Sequence, residues 1–587
     1  MPETRTKNRA RSTRRAAKAP DAAPPRKSGL PWWVYTAVAA AALIVTFQVY
    51  APALNAPYVF DDTSLPYYSP HFPDALPAWV TGVRPLLMFS YWLNYIGSKE
   101  PAGFHLVNLF LHLLNALFVF VIVRSLLSRT QPAGAGASPL LLAGFAAGVF
   151  LLHPIQTESV SYIAGRSESL SALFFLAAFL LYLYRGLPAA SWSVAFAILL
   201  LFAAAAASKE HTIVLPGLLL LTDYYWNPGF SFSGIRRNWR TYLLLALSAV
   251  AGAAVVAKFV LARSFSAGFG MRDLTWYQYF FTECRAFFTY LRLLVLPVDQ
   301  NLDWDYTISR TVLDHGTILA IAALLLLAAA AIYFRNREPL ASYGFLVFIL
   351  LLSPTSSFVP IKDPLVERRL YLPMVGVLLL AVALVRRVRI DRRQLAGVLA
   401  CVLAALAYAT YQRNQLWAND LALWEDTARK SPNKARVHFQ LAHTEYANGR
   451  CREAVAQYVE VARLQKPDHG LLVDWGLAYE CAGDPDAAIV KLREAAALDP
   501  TAHVYSQIGM VYAKQSRWPE ALAALAVAEK RDPYYSVIYY YRGGIRAKTN
   551  NFAAAVADYQ HALALDPSNE AARQGLQYAQ QQLRLKR

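Results

Sequence analysis

The sequence predicts an all-α protein in two parts, a polytopic transmembrane helix bundle of about 11 spans and then an α-solenoid of short helical repeats. Three observations predict it. Of 587 residues, 56% are hydrophobic and only 16% charged, too apolar a balance for a soluble chain of this length. Apolar runs of spanning length recur from residue 31 to residue 411, with Arg-rich loops between them. After Tyr411 the composition turns polar, and small residues and prolines return at a fixed period.

Taken in order, residues 1–30 are basic and rich in Ala and Pro, which predicts a disordered cytoplasmic tail. The spans are expected at 31–50, 104–123, 139–153, 169–184, 191–207, 211–226, 241–262, 315–334, 341–354, 371–385 and 394–411. The first is read as a span, not a cleaved signal, because it exceeds a 7–15-residue signal core and no A-x-A site follows. An odd count puts the chain ends on opposite sides of the membrane. The basic loops at Arg124/Arg129, Arg185, Arg236/Arg237/Arg240, Arg335/Arg337 and Arg386–Arg393 then all fall on the side of the tail, the positive-inside pattern. The net charge of +18 is explained by topology, and no nucleic acid is expected. Residues 276–297 carry Glu283, Arg285 and Arg292 among aromatics and are read as a re-entrant or interfacial helix on the outer face.

In the last third, Ala442, Gly476, Gly509 and Gly543 recur at spacings of 34, 33 and 34, as Ala454, Ala488, Ala521 and Ala555 do; Pro467, Pro500, Pro533 and Pro567 close each unit. Small residues where two helices cross, with Pro ending the second, are the tetratricopeptide (TPR) pattern. Four repeats cover 433–567, after a leading half-repeat at 413–432 and before a cap helix at 568–587. Cys451 opens the second helix of repeat one and Cys481 ends the first helix of repeat two. Antiparallel stacking brings these ends together, so a disulfide is weighed there against two buried reduced thiols.

With this topology the segments APYVFDDT, HPIQTE, SKEH, NLDWDY and DPLVERRLYLP collect at the outer surface. Asp61 and Asp62 form the first candidate site: a carboxylate beside an apolar cavity can act as general base on a hydroxyl, with the second acid as helper. Capping acids in a solvated loop are the plainer reading. Arg368 and Arg369, with Arg166, are the candidate phosphate ligands, because guanidinium groups bind phosphate oxygens bidentately. Arg84, His153, Glu158, Glu168, Lys209, Glu210, Glu367 and Tyr371 complete the candidate set, several of them equally readable as boundary ion pairs. Asp303 and Trp304 are weighed as a sugar contact against an interfacial anchor. No Walker loop, GxGxxG, HExxH, GxSxG or CxxC occurs, so no cofactor or metal site is predicted, and a divalent-metal requirement is left open.

The ordered motifs VFDD, RPL, FHLVNLFLHLLNAL, HPIQTESVSYIAGRSESL, ASKEHTIVLPGLLLLTDYY, LDW, VERRLYLPMVG and RNQLWANDLALW together resemble the transmembrane and TPR repeat-containing (TMTC) family of GT-C glycosyltransferases. The resemblance implies transfer of a sugar, mannose in the eukaryotic members, from a polyprenyl or dolichyl phosphate to Ser or Thr hydroxyls of proteins. It carries the family's acidic pair to Asp61 and Asp62, its HPxxTE and GRxE segments to His153, Glu158, Arg166 and Glu168, its KE to Lys209 and Glu210, and its ER-LYLP to Glu367, Arg368 and Tyr371. The chain departs from the eukaryotic pattern at Arg369 and in having fewer repeats. The expected partners are a lipid-linked sugar donor and a protein or peptide acceptor bound by the TPR array. Two other readings are weighed: a membrane-anchored TPR adaptor and a transporter of lipid-linked substrate. Ala-rich composition with Arg outnumbering Lys points to a bacterial inner membrane with periplasmic repeats; an endoplasmic-reticulum membrane with lumenal repeats has the same topology.

Overall fold

The computed structural model describes residues 31–69, 72–130, 138–185, 189–256, 267–271 and 273–585; the basic tail of residues 1–30 lies outside them. The chain divides into Met1–Ile44 and Val45–Arg587. The described part of the first unit is the start of the helix Trp32–Tyr50, with Trp32, Trp33, Val38, Leu43 and Ile44 exposed. A surface this apolar suits lipid. The rest of the described chain belongs to the second unit.

Each of the eleven apolar runs contains a helix, and among the described residues the one pairing outside helices is an antiparallel bridge, Ala267 to Ile361. The helices in the eleven runs differ in length. Five segments are long and apolar enough to span, namely Trp32–Ala53, Pro101–Arg129, Ile163–Tyr184, Asp314–Phe334 and Arg392–Trp417. Pro139–Leu152 with Pro154–Val160, bent by 50°, makes a sixth if taken as one span. Trp192–Ala206, Trp239–Val250, Pro339–Leu352 and Met374–Val385 are apolar but shorter, and Leu215–Trp226 has 12 residues. At 1.5 Å per residue, a helix of about 12–15 residues reaches roughly 20 Å, short of the ~30 Å hydrocarbon core. Part of the difference is made up by tight turns beside the short helices: Pro154–Gln156, Glu210–Val214 and Glu367–Leu370. These turns carry three of the predicted motifs. Irregular backbone at this depth is tolerated where protein buries it or a cavity receives it.

The basic loops expected to share a side do meet at one end of the bundle. Arg129 donates to the Leu183 carbonyl at 2.5 Å, Arg386 to the Thr130 carbonyl at 3.2 Å, Arg185 pairs with Asp223 at 2.7 Å, and Arg387 pairs with Glu338. Between the ends, Pro339–Leu352 and Met374–Val385 touch backbone to backbone: a Cβ on Gly344 would lie 2.7 Å from the Gly376 carbonyl. Trp276–Val295 is amphipathic, burying Tyr279, Glu283, Phe287, Tyr290 and Leu294 while Trp276, Tyr277 and Val295 stay exposed.

The helix Arg392–Trp417 leads into Asp420–Lys430, whose first turn is capped by the Asn419 side chain accepting from the Ala422 amide at 3.0 Å. Four antiparallel pairs follow: Ala435–Ala447 with Cys451–Leu464, His469–Cys481 with Pro485–Leu498, Ala502–Lys514 with Trp518–Arg531, and Ser536–Lys548 with Phe552–Leu565. Glu570–Leu585 covers the last pair. The periodic small residues sit at the crossings. A Cβ on Gly476 or Gly509 would come within 2.9 Å of Leu492 or Leu525 of the partner helix. Cys451 and Cys481 are joined, with Cα atoms 5.7 Å apart.

Candidate active site

The acidic pair lies on a tight turn, Phe60–Ser64, at the end of the bundle opposite the basic loops. The two acids have different surroundings. Asp62 is 1% exposed and accepts three hydrogen bonds, from the Val59 amide at 3.2 Å, the Tyr67 hydroxyl at 2.9 Å and the Ala164 amide at 2.8 Å. Burial pushes its carboxyl up to about 7, against the pull of those three donors. The Asp61 side chain is exposed, and its amide donates to the Tyr162 hydroxyl at 2.9 Å. Asp62 therefore ties the turn to the 162–165 segment and Asp61 is presented outward. That segment is itself tightly folded, since a Cβ on Gly165 would lie 2.6 Å from the Glu158 carbonyl.

Tyr162 carries the link to the cations. The Arg368 guanidinium lies 5.8 Å from its ring centre, within reach of cation–π attraction. Arg368 is held by Glu158 through both its guanidinium, at 2.5 Å, and its amide, at 2.8 Å. Burial opposes the arginine's charge, and Glu158, Asp61 and Glu168 outweigh it, so the group stays above the usual arginine range. Lys209 bonds Glu168 and the Ser167 hydroxyl, His211 Nε2 lies 3.7 Å from the same Glu168, and Arg84 grips Glu210 with two bonds of 2.8 and 2.9 Å. Burial holds the Lys209 ammonium below the usual lysine range against the pull of Glu168, and Arg84 and Arg368 add to that lowering. The three cationic side chains keep 38% (Arg84), 15% (Lys209) and 24% (Arg368) of their surface open. An exposed carboxylate thus acts on one partly open cation, Arg368, an arrangement suited to receiving an anion beside a base.

Other predicted residues lie elsewhere or serve the frame. Arg166 is wholly buried, with three of its five N–H donors bonded to Asn108 at 2.8 Å and the Ser90 and Phe104 carbonyls at 3.1 and 3.0 Å, and presents no surface to a phosphate. Arg369 turns toward the helix Trp276–Val295, bonding the Pro364 and Asp363 carbonyls at 2.8 and 2.7 Å with Glu283 at 3.9 Å. His153 caps its own turn, accepting from the Ile155 amide at 3.2 Å, and reaches the Leu294 carbonyl at 3.1 Å. Glu367 is buried and receives the Asn301 amide, Gln300 and the Trp304 indole at 2.5, 2.8 and 3.2 Å. Asp303 pairs with Lys434 and Arg436 of the first repeat, which spends it on holding two domains together and not on a sugar. Tyr371 is buried between His112 and Asn115 at 2.9 and 3.0 Å. Sequence reasoning does not single out Tyr162 and His211, although both lie inside the quoted motifs. The sequence signal for Tyr162 is its place between two acid-bearing motifs.

No family model matches the chain. Among curated proteins, the protein O-mannosyl-transferase Tmtc3 of Drosophila melanogaster is 26% identical over 570 residues, covering 80% of this chain and 59% of that protein. Protein O-mannosyl-transferase TMTC3 of Homo sapiens is 22% identical over 537 residues, covering 83% and 58%; that of Mus musculus is 24% identical, covering 83% and 57%. The chain thus spans less than three fifths of the length of these relatives. Among solved structures, a thermophilic TPR protein of Thermus thermophilus aligns with 31% of this chain and 95% of its own, at 20% identity and a TM-score of 0.25, a likeness too slight to carry an argument. The curated homologues of this multi-pass membrane protein, at 22–26% identity over most of its length, are TMTC-family protein O-mannosyl-transferases.

Proposed function

We propose that the chain is a membrane glycosyltransferase of the GT-C type that moves a hexose, mannose first among them, from a polyprenyl or dolichyl phosphate to Ser or Thr hydroxyls of protein acceptors. The observation that carries this reading is the shared Tyr162: it bonds the turn presenting Asp61 and lies under the guanidinium of Arg368. Asp61 takes the proton of the acceptor hydroxyl as its oxygen attacks the anomeric carbon. The bond from that carbon to the phosphate oxygen breaks, and its electron pair leaves with the phosphate, whose charge is received by Arg368 with Lys209 and Arg84. Attack opposite the leaving group inverts the anomeric centre. A lipid phosphate is a good enough leaving group to need no strong general acid, which suits a site whose other open carboxylate, Glu210, is held by Arg84.

The site's place at the ends of the helices suits a donor whose lipid lies in the bilayer and whose phosphate lies at its surface. In this reading the basic loops are cytoplasmic, and the repeats are periplasmic or, in an endoplasmic-reticulum membrane, lumenal. The test uses purified full-length protein, labelled polyprenyl-phosphate mannose and a Ser/Thr-bearing secreted protein, with O-linked label as the readout. Asp61→Asn is expected to lower turnover by about 10²–10⁴-fold, the usual contribution of a general base. Near-wild-type turnover in that variant refutes the assignment.

A further inference from the structure

The repeat array meets the acidic turn directly. Val59 and Tyr162 share a small apolar core with Leu302 of the outer loop and with Trp417, Trp424 and Val437, which lead into or belong to the repeats. Phe60, next to Asp61, has a φ of 52°, a left-handed conformation that a bulky side chain keeps only when its surroundings impose it. What surrounds its ring comes from the repeat side. Trp424 packs edge-on against it with ring centres 5.6 Å apart, and the Arg436 guanidinium lies 5.3 Å from its centre.

Arg436 has a second hold. It bonds both oxygens of Asp303, at 2.7 and 2.6 Å, and Asp363 at 2.9 Å. Asp303 belongs to the loop whose Asn301 amide and Trp304 indole are fixed by Glu367, the residue before Arg368. One guanidinium of the first repeat therefore touches the turn that presents the carboxylate and the loop that frames the cation. We propose that Arg436 is a positioning residue for glycosyl transfer, setting Asp61 against Arg368 through Phe60 and Asp303, so that the first repeat is part of the active site. This rests on the function proposed above. It adds that the array governs the chemical step, over and above any grip on an acceptor.

The experiment compares full-length wild type with Arg436→Ala, Arg436→Lys, Phe60→Ala and the Arg436→Ala/Phe60→Ala double variant, measuring transfer kinetics and amide hydrogen exchange over residues 59–64. Arg436→Ala is expected to lower kcat at least tenfold with KM for donor and acceptor within twofold, and to speed exchange in that segment at least tenfold. Arg436→Lys, which keeps the charge and loses the fork, should recover part of both. The double variant should be less impaired than the two single effects multiplied, because both act through one contact. Wild-type kcat with unchanged exchange in Arg436→Ala overturns the proposal, and so does a change in acceptor KM alone. If Arg436→Ala does not fold, Phe60→Ala and Arg436→Lys decide by the same readouts. If wild type transfers no sugar, the proposed function fails while the exchange data still judge the positioning contact.

Discussion

Asp61 and Asp62 are adjacent in sequence and differ in what removing their charge should do. At Asp62, Oδ1 receives Tyr67 and Ala164 while Oδ2 receives the Val59 amide. An asparagine there keeps one oxygen and turns a second donor toward a donor. Leaving one buried group unpaired costs about 1–3 kcal/mol. Asp62→Asn is thus expected to lower the thermal midpoint of the full-length protein as well as its transfer rate, whereas Asp61→Asn should change the midpoint far less, because its side chain is exposed and reaches only the Tyr162 hydroxyl. Thermal unfolding run beside the transfer assay separates them, and a lowered midpoint in Asp61→Asn with none in Asp62→Asn would reverse the assignment. The sequence made the pair visible through its position at a span's end. It did not make visible which acid is buried, because two of the three partners of Asp62 act through local turn geometry and the third comes from residue 164.

At the scale of the element, the repeats were legible because period and small-residue spacing are local properties, and the crossings confirm why: Gly476 and Gly509 leave no room for a Cβ. The short helices were legible as short runs, since 341–354 is as long as Pro339–Leu352, but the tight turns that flank them were not, because their residues carry no periodic signal. The first repeat also holds a titrating carboxylate. Glu445 is buried with Oε2 unpartnered, and burial, then Glu453 and Glu425, push it up to about 7. Its folded value lies above the ordinary unfolded value, so its share of stability is fully present below about pH 4.5 and is lost as pH rises through about 7. Glu445→Gln, which carries no charge to desolvate, is expected to raise the midpoint of repeat unfolding by a few degrees at pH 8 and to leave it unchanged at pH 4.5. Thermal melts at the two pH values check this. An equal shift at both, or a lower midpoint at pH 8, would show that burial of the charge is not what limits the repeat.

For the whole molecule, the sequence placed eleven apolar runs and an array, and could not place the array on the bundle, because the contacts that seat it join residues far apart in the chain. Arg436 and Asp303 are separated by 133 positions. That seating has a topological consequence. The helix Pro101–Arg129 runs from Phe104, whose carbonyl bonds Arg166 beside the acidic turn, to Arg129 among the basic loops. Its 29 residues extend for about 43 Å, enough to cross a hydrocarbon core of about 30 Å. We predict that the acidic turn and the repeats docked on it face one side of the membrane, and Arg387 the other. In a background lacking the exposed Cys401, single cysteines at Ser64, at Ser568 in the repeats and at Arg387 can be treated in sealed vesicles with a membrane-impermeant maleimide. Ser64→Cys and Ser568→Cys should react from the same side, and Arg387→Cys only once the membrane is opened or inverted. Labelling of Ser64→Cys and Arg387→Cys from the same side would mean that the helix between them does not cross, and that the basic and acidic ends of the bundle share one compartment.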